Sequence, residues 1–116
     1  MSDCIFCKIA RGEIPAKVVR KSPDAVAFHD LTPQAPVHVL VIPTKHFAAV
    51  RDAAGVADSE AALGKLLVFA AEVATELGLD QGGYRIVTNT GPDAGQSVHH
   101  LHLHLLGGRR LGWPPG

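Results

Sequence analysis

The sequence predicts an α+β domain: a mainly antiparallel five-stranded sheet with one long helix and a short N-terminal helix. Three observations lead to it. Five short runs of β-branched or alternating residues are bounded by turn formers. One longer run, between the third and fourth of these, has apolar residues at helical spacing. No repeat or low-complexity linker divides the 116 residues, so a single domain, 1–116, accounts for the chain.

Each element follows from local residue choice. Asp3 to Ala10 reads as a short helix capped by Asp3, with Ile5, Phe6 and Ile9 toward the core and Gly12 just past its end. It sets Cys4 and Cys7 one turn apart. Lys17–Arg20, Ala25–His29 and Val37–Ile42 read as strands, with turns at Ser22-Pro23-Asp24 and Thr32-Pro33-Gln34-Ala35-Pro36, and form an antiparallel meander. From Ser59 to Leu77, the residues Leu63, Leu66, Leu67, Ala70, Val73, Ala74 and Leu77 make one helical stripe, and Gly78 suits a left-handed C-terminal cap. Tyr84–Thr88 and Val98–Leu106 complete the sheet, joined by the loop Asn89–Ser97.

Composition limits the function classes. With 47% hydrophobic and 19% charged residues, the chain suits one core that removes about 65% of its unfolded surface from water. Lys plus Arg and Asp plus Glu each number 11, so the net charge is zero and no nucleic-acid partner is expected. No secretory leader and no apolar run long enough to cross a bilayer is legible, which points away from a membrane and toward the cytoplasm. In a reducing compartment the two cysteines, Cys4 and Cys7, suit a metal-ligand pair better than a structural disulfide.

The chemistry concentrates in His100, His102 and His104, which alternate with Leu101, Leu103 and Leu105. In a strand this alternation lines one face with imidazoles and buries the leucines in the other. A structural strand gains little from three adjacent imidazoles, which repel one another once protonated. The preceding loop contains Gly91 and Gly95, whose conformational range would let successive amides converge on a phosphate, although a plain hairpin connection uses the same residues. Together these parts suit nucleotidyl transfer. His102, flanked on both sides, is the candidate nucleophile; His104 is placed to donate to a nonbridging oxygen, His100 to fix the geometry, and Ser97 to serve the leaving group.

The run His100-Leu101-His102-Leu103-His104-Leu105-Leu106 resembles the signature of the histidine triad (HIT) superfamily. Gly95-Gln96-Ser97 and the tail Trp113-Pro114-Pro115-Gly116 resemble its Hint branch. Ile14-Pro15-Ala16-Lys17, Phe28-His29-Asp30, Pro33-Gln34-Ala35-Pro36, and Val41-Ile42-Pro43 with His46 extend the likeness over nearly the whole chain. The resemblance implies a HIT-like fold in a homodimer whose sheets join. It also implies hydrolysis of purine nucleoside 5′-phosphoramidates and related adenylates through a nucleotidyl-histidine intermediate.

By matching position, His102 is then the nucleophile, His104 meets the α-phosphate, His100 supports the network and Ser97 lies near the leaving amine. Asn89, Gly95 and Gln96 fall in the phosphate-side loop, and Asp30 and Leu31 where the family holds ribose and base. A carboxylate suits a ribose diol, yet Asp30 before Thr32-Pro33 also reads as a turn cap. Cys4 and Cys7 supply half of a tetrahedral zinc site that His46 and His100, or His99 in place of His100, would complete. Such a site is structural, and reduced metal-free cysteines are its alternative. His29 and His38 read as surface or structural residues, and Trp113 as a cross-dimer substrate contact. Competing functions are a non-catalytic purine nucleotide-binding or scaffolding module, a dinucleoside polyphosphate hydrolase and a metallohydrolase; a thioredoxin-like role lacks a βαβ context.

Overall fold

The computed structural model describes residues 4–116. Its elements are α1 (Ile5–Ala10), β1 (Val18–Lys21), β2 (Ala25–His29), β3 (Val37–Pro43), a 3-10 turn (Val50–Ala53), α2 (Ser59–Glu76), β4 (Tyr84–Val87) and β5 (Leu103–Gly107). The strands form one sheet in the order β1-β2-β3-β5-β4, with every neighbouring pair antiparallel. The α+β architecture of the sequence reading is therefore the observed one.

Alternation along the central strand divides the core. Val39 and Val41 of β3 point to α2, where they join Leu66, Phe69, Val73, Leu101, Leu103 and Leu105. Leu40 and Ile42 point the other way and pack with Phe6, Val26 and Phe28 under α1. The small residues Ala70 and Ala74 let α2 lie close on the first face. The six-residue α1, with Ala16 and Val98 beside it, packs on the second.

Several local expectations shift. The cap predicted at Asp3 falls outside the described residues; Cys4 occupies the N-cap position of α1, its sulfur accepting from the Cys7 amide at 3.3 Å. Ile5, expected in the core, is half exposed. Leu67 lies on the exposed side of α2, and Phe69 is buried in the core against the sheet.

The largest difference concerns the strand expected from Val98 to Leu106, which begins only at Leu103. Antiparallel pairing sets Val41 opposite Leu103, so Leu101 would face Pro43, which has no amide hydrogen to donate. The Leu101 amide instead donates to the Phe47 oxygen. Even so, Leu101, Leu103 and Leu105 all enter the α2 core, while Phe6 of the opposite face touches the rings of His100 and His102. The face alternation survives although the ladder does not.

Gly108, just beyond β5, has φ of +90°, and a Cβ there would come within 2.8 Å of the Pro36 ring. Gly108→Ala is expected to destabilise the fold by about 2 kcal/mol, from left-handed strain and a clash with a rigid ring. An unchanged urea midpoint would contradict this.

Candidate active site and metal cluster

Backbone partners dictate the tautomer of each imidazole. The Gln34 amide donates to His38 Nδ1 at 3.0 Å, so a neutral His38 carries its proton on Nε2. That nitrogen lies 2.9 Å from His104 Nδ1, which must then accept, leaving His104 with Nε2–H. His102 Nδ1 faces the His100 carbonyl at 2.7 Å, and a carbonyl only accepts, so His102 is protonated there and keeps a lone pair on Nε2. The rings of His102 and His104 sit 5.0 Å apart between centroids. An imidazole lone pair and an imidazole N–H thus lie side by side.

His38 is the member that the sequence reading placed among structural residues. It is buried on β3, with Asp30 Oδ2 3.4 Å from its Nε2. The register explains the contact with His104: Leu40 pairs with His104, so His38 is the diagonal neighbour of His104 on the same face. The available signal was that His38 shares a strand face with Leu40 and Ile42, but strand register is not readable from one chain.

Burial favours the neutral form of His38, His100 and His104. Desolvation lowers the pKa of His38, outweighing the Asp30 carboxylate that raises it. Desolvation also lowers that of His104, helped by His102 and His38. For His100 burial is again the main cause and brings the value down to about 4. An unfolded chain titrating its histidines near 6.5 binds more protons than the fold just below that pH. The stability contributed by neutral His38 and His104 is therefore complete above pH 6.5 and is lost as the pH falls through their lower folded values. Urea midpoints measured from pH 8 to pH 5 are expected to fall toward acid; a rise would contradict the assignment.

Within the loop from Asn89 to Ser97, the amides of Gly91, Gly95 and Gln96 are engaged within the loop itself. The Gly95 amide donates to the Pro92 oxygen and the Gln96 amide to the Gly91 oxygen. The Gln96 side chain accepts from the Gly91 amide at 2.9 Å and donates to the oxygens of Ala48 and Val98 at 2.7 and 3.1 Å. Gln96 thus staples the loop, whose glycines at φ of +84° and +78° make turns that use their own amides. Asn89 is half-buried, and Ser97 is exposed at the loop exit.

Asp30 makes the anticipated turn cap with one oxygen and meets His38 with the other. Oδ1 accepts from the amide and hydroxyl of Thr32 at 2.8 and 3.2 Å, a turn cap, while Oδ2 faces His38. Leu31 and Trp113 are exposed by 92% and 82%, which leaves both apolar surfaces open to a ligand or partner. The Arg85 guanidinium lies over the Trp113 ring at 6.0 Å.

On the other side of His100 stands a second cluster. Cys4, Cys7, His46 and His100 each aim one atom into a space where all four lie within 4.8 Å of one another. His100 Nδ1 is 3.2 Å from Cys4 Sγ, 3.5 Å from Cys7 Sγ and 3.0 Å from His46 Nδ1, and Cys7 Sγ is 3.3 Å from His46 Nδ1. His100 Nε2 donates to the Pro43 oxygen at 3.0 Å, so its Nδ1 presents a lone pair to the cluster. His99 is exposed and outside this group. Both cysteines are free, and burial, then the hydrogen bond with Cys4, pushes the Cys7 thiol up. The arrangement can hold a metal ion.

Known proteins share both the fold and the sequence. A HIT domain model matches residues 11–111. An uncharacterized HIT-like protein of Synechococcus elongatus is 53% identical over 114 residues, 98% of this chain and 97% of its own. The purine nucleoside phosphoramidase of Escherichia coli is 44% identical over 110 residues, 95% of this chain and 91% of the enzyme. The crystal structure of a HIT family hydrolase from Legionella pneumophila superposes with a TM-score of 0.92 at 51% identity, covering 98% of this chain and all of that one. A five-stranded antiparallel sheet presenting a histidine row defines the class, and the chain belongs to the HIT family.

Proposed function

We propose that this chain is a hydrolase of the histidine triad type that cleaves the P–N bond of purine nucleoside 5′-phosphoramidates and related adenylates. The observation that carries the reading is the pairing of a lone pair on His102 Nε2 with an N–H on His104 Nε2. His102 Nε2 attacks the α-phosphorus, the P–N bond breaks, and the amine departs with the proton of the Ser97 hydroxyl, which the water of the second step restores. The imidazolium formed keeps its Nδ1–H on the His100 carbonyl, which stabilises the new positive charge. Water then attacks phosphorus, the P–N bond to His102 breaks, and the nucleoside monophosphate leaves. His104 Nε2–H stabilises charge on a nonbridging oxygen, oriented by His38.

Asp30 holds the ribose through its carboxylate, Leu31 packs on the base, and Asn89 with the Gly95-Gln96-Ser97 turn borders the phosphate. Trp113 reaches the site of a partner subunit in a homodimer.

The second cluster would hold zinc. A tetrahedral ion with Zn–N about 2.0 Å and Zn–S about 2.3 Å separates its ligand atoms by roughly 3.3–3.8 Å, close to the spacing found. Two thiols and two imidazole lone pairs are also a donor set that zinc prefers. When bound, the ion supplies a cross-link between Cys4, Cys7, His46 and His100, and four protein ligands leave no open position for catalysis.

The direct test offers adenosine 5′-phosphoramidate and a dinucleoside polyphosphate to the protein and follows release of amine and monophosphate. Faster turnover of the phosphoramidate is expected. Nucleotide binding with no hydrolysis of either compound would instead make the chain a binding module.

A further inference from the structure

His100 belongs to both clusters. Its ring sits among Cys4, Cys7 and His46, and its main-chain oxygen is the acceptor that selects the His102 tautomer. That oxygen lies outside the β5 ladder, which begins at Leu103, so sheet pairing does not fix it. Two other links do. The His100 ring is pinned between the cluster and the Pro43 oxygen, and the Leu101 amide donates to the oxygen of Phe47, the residue after His46. The cluster touches the nucleophile from a second side as well. Phe6, between the two cysteines in α1, sets its ring edge-on to His102 at 5.2 Å and to His100 at 5.9 Å. A six-residue helix has no stability of its own, so what ties down the cysteine end of α1 also places Phe6.

We infer that Cys4, Cys7 and His46 are positioning residues for His102, acting through His100 when a thiophilic divalent ion fills the cluster. The inference rests on His102 being the nucleophile of the proposed reaction. With the ion present, His100 is clamped, and its carbonyl holds His102 in the Nδ1–H form with the Nε2 lone pair toward the substrate. Without it, the His100 Nδ1 lone pair is held only by hydrogen bonds, from the Nδ1–H of His46 at 3.0 Å or from the thiol of Cys4 at 3.2 Å, a looser tie than a bond to a metal. The His100 ring then shifts, its carbonyl follows, and His102 shares its proton between both nitrogens. Molecules carrying Nε2–H cannot attack phosphorus. By linkage, a nucleotide that favours the Nδ1–H form also tightens the metal.

The test compares protein loaded with zinc and protein stripped by EDTA, each labelled with ¹⁵N-histidine, by two-bond ¹H–¹⁵N spectra. The loaded protein is expected to show His102 as the Nδ1–H tautomer alone. The stripped, folded protein should show both tautomers, with kcat lower in proportion to the Nδ1–H fraction lost, about two- to tenfold, and KM little changed. An unchanged His102 signature after stripping overturns the inference. Should stripping unfold the chain, cadmium replaces zinc: a larger ion moves His100, so a displaced His102 Nδ1 resonance supports the clamp and an identical one overturns it. His46→Ala should lose the single-tautomer signature and His46→Cys, again with four ligands, should restore it. The tautomer needs no substrate, so a wrong substrate class leaves this readout intact. A tautomer change with unaltered turnover supports the clamp and removes His102 as nucleophile.

Discussion

His102→Ala is expected to lower phosphoramidate turnover by roughly 10⁴-fold or more while leaving the fold in place, as loss of a covalent nucleophile does in other enzymes. The methyl group has no lone pair, and neighbouring rings cannot take over. His104 Nδ1 is engaged by His38, which turns an N–H rather than a lone pair toward the substrate, and His100 Nδ1 points into the cysteine cluster. His102 is 5% exposed and edge-on to Phe6, so the truncation costs some stability, visible as a lower urea midpoint. Nucleotide affinity should change far less than turnover. Activity of the variant within tenfold of the parent would refute the assignment.

The second large effect concerns Cys7. Its sulfur is buried, 3.3 Å from His46 Nδ1 and 3.5 Å from His100 Nδ1, so Cys7→Ser removes a central ligand. Binding energy at a structural zinc site is folding energy, so the loss is expected to reach roughly 3 kcal/mol, a fall of about 10 °C in Tm. EDTA should lower the parent's Tm by a similar amount and leave the variant's nearly unchanged. A parent protein that carries no zinc, with a Tm indifferent to both EDTA and the substitution, would contradict a structural metal here.

Most of the architecture was legible because it follows from short-range rules. Turn residues bounded the strands, and the stripe of Leu66, Ala70, Val73 and Ala74 fixed α2 on the sheet. The alternation of His100, His102 and His104 placed three rings on the face opposite the leucines. What escaped depends on pairing between distant segments. The ladder stops before Leu101 because Pro43 lies opposite, which no local pattern reveals. His38 joins His104 only through strand register, and its tautomer comes from the Gln34 amide. The glycine loop read as an anion cradle or a plain connection, and the hydrogen bonds by which Gln96 staples it are not disclosed by its sequence position. The cysteine cluster was legible from residue types and resemblance, while the choice of His100 over His99 required the fold.

The account stands on a covalent nucleotide at His102, which can be measured directly. The protein is mixed with excess adenosine 5′-phosphoramidate, quenched within the first turnover under mildly alkaline conditions that preserve phosphorus–nitrogen bonds, and weighed intact and as peptides. The expected result is a transient gain of one adenylyl group, located on His102, with a burst of amine equal to the number of chains. An adduct on another residue, or turnover with neither adduct nor burst, would contradict the nucleotidyl-histidine mechanism.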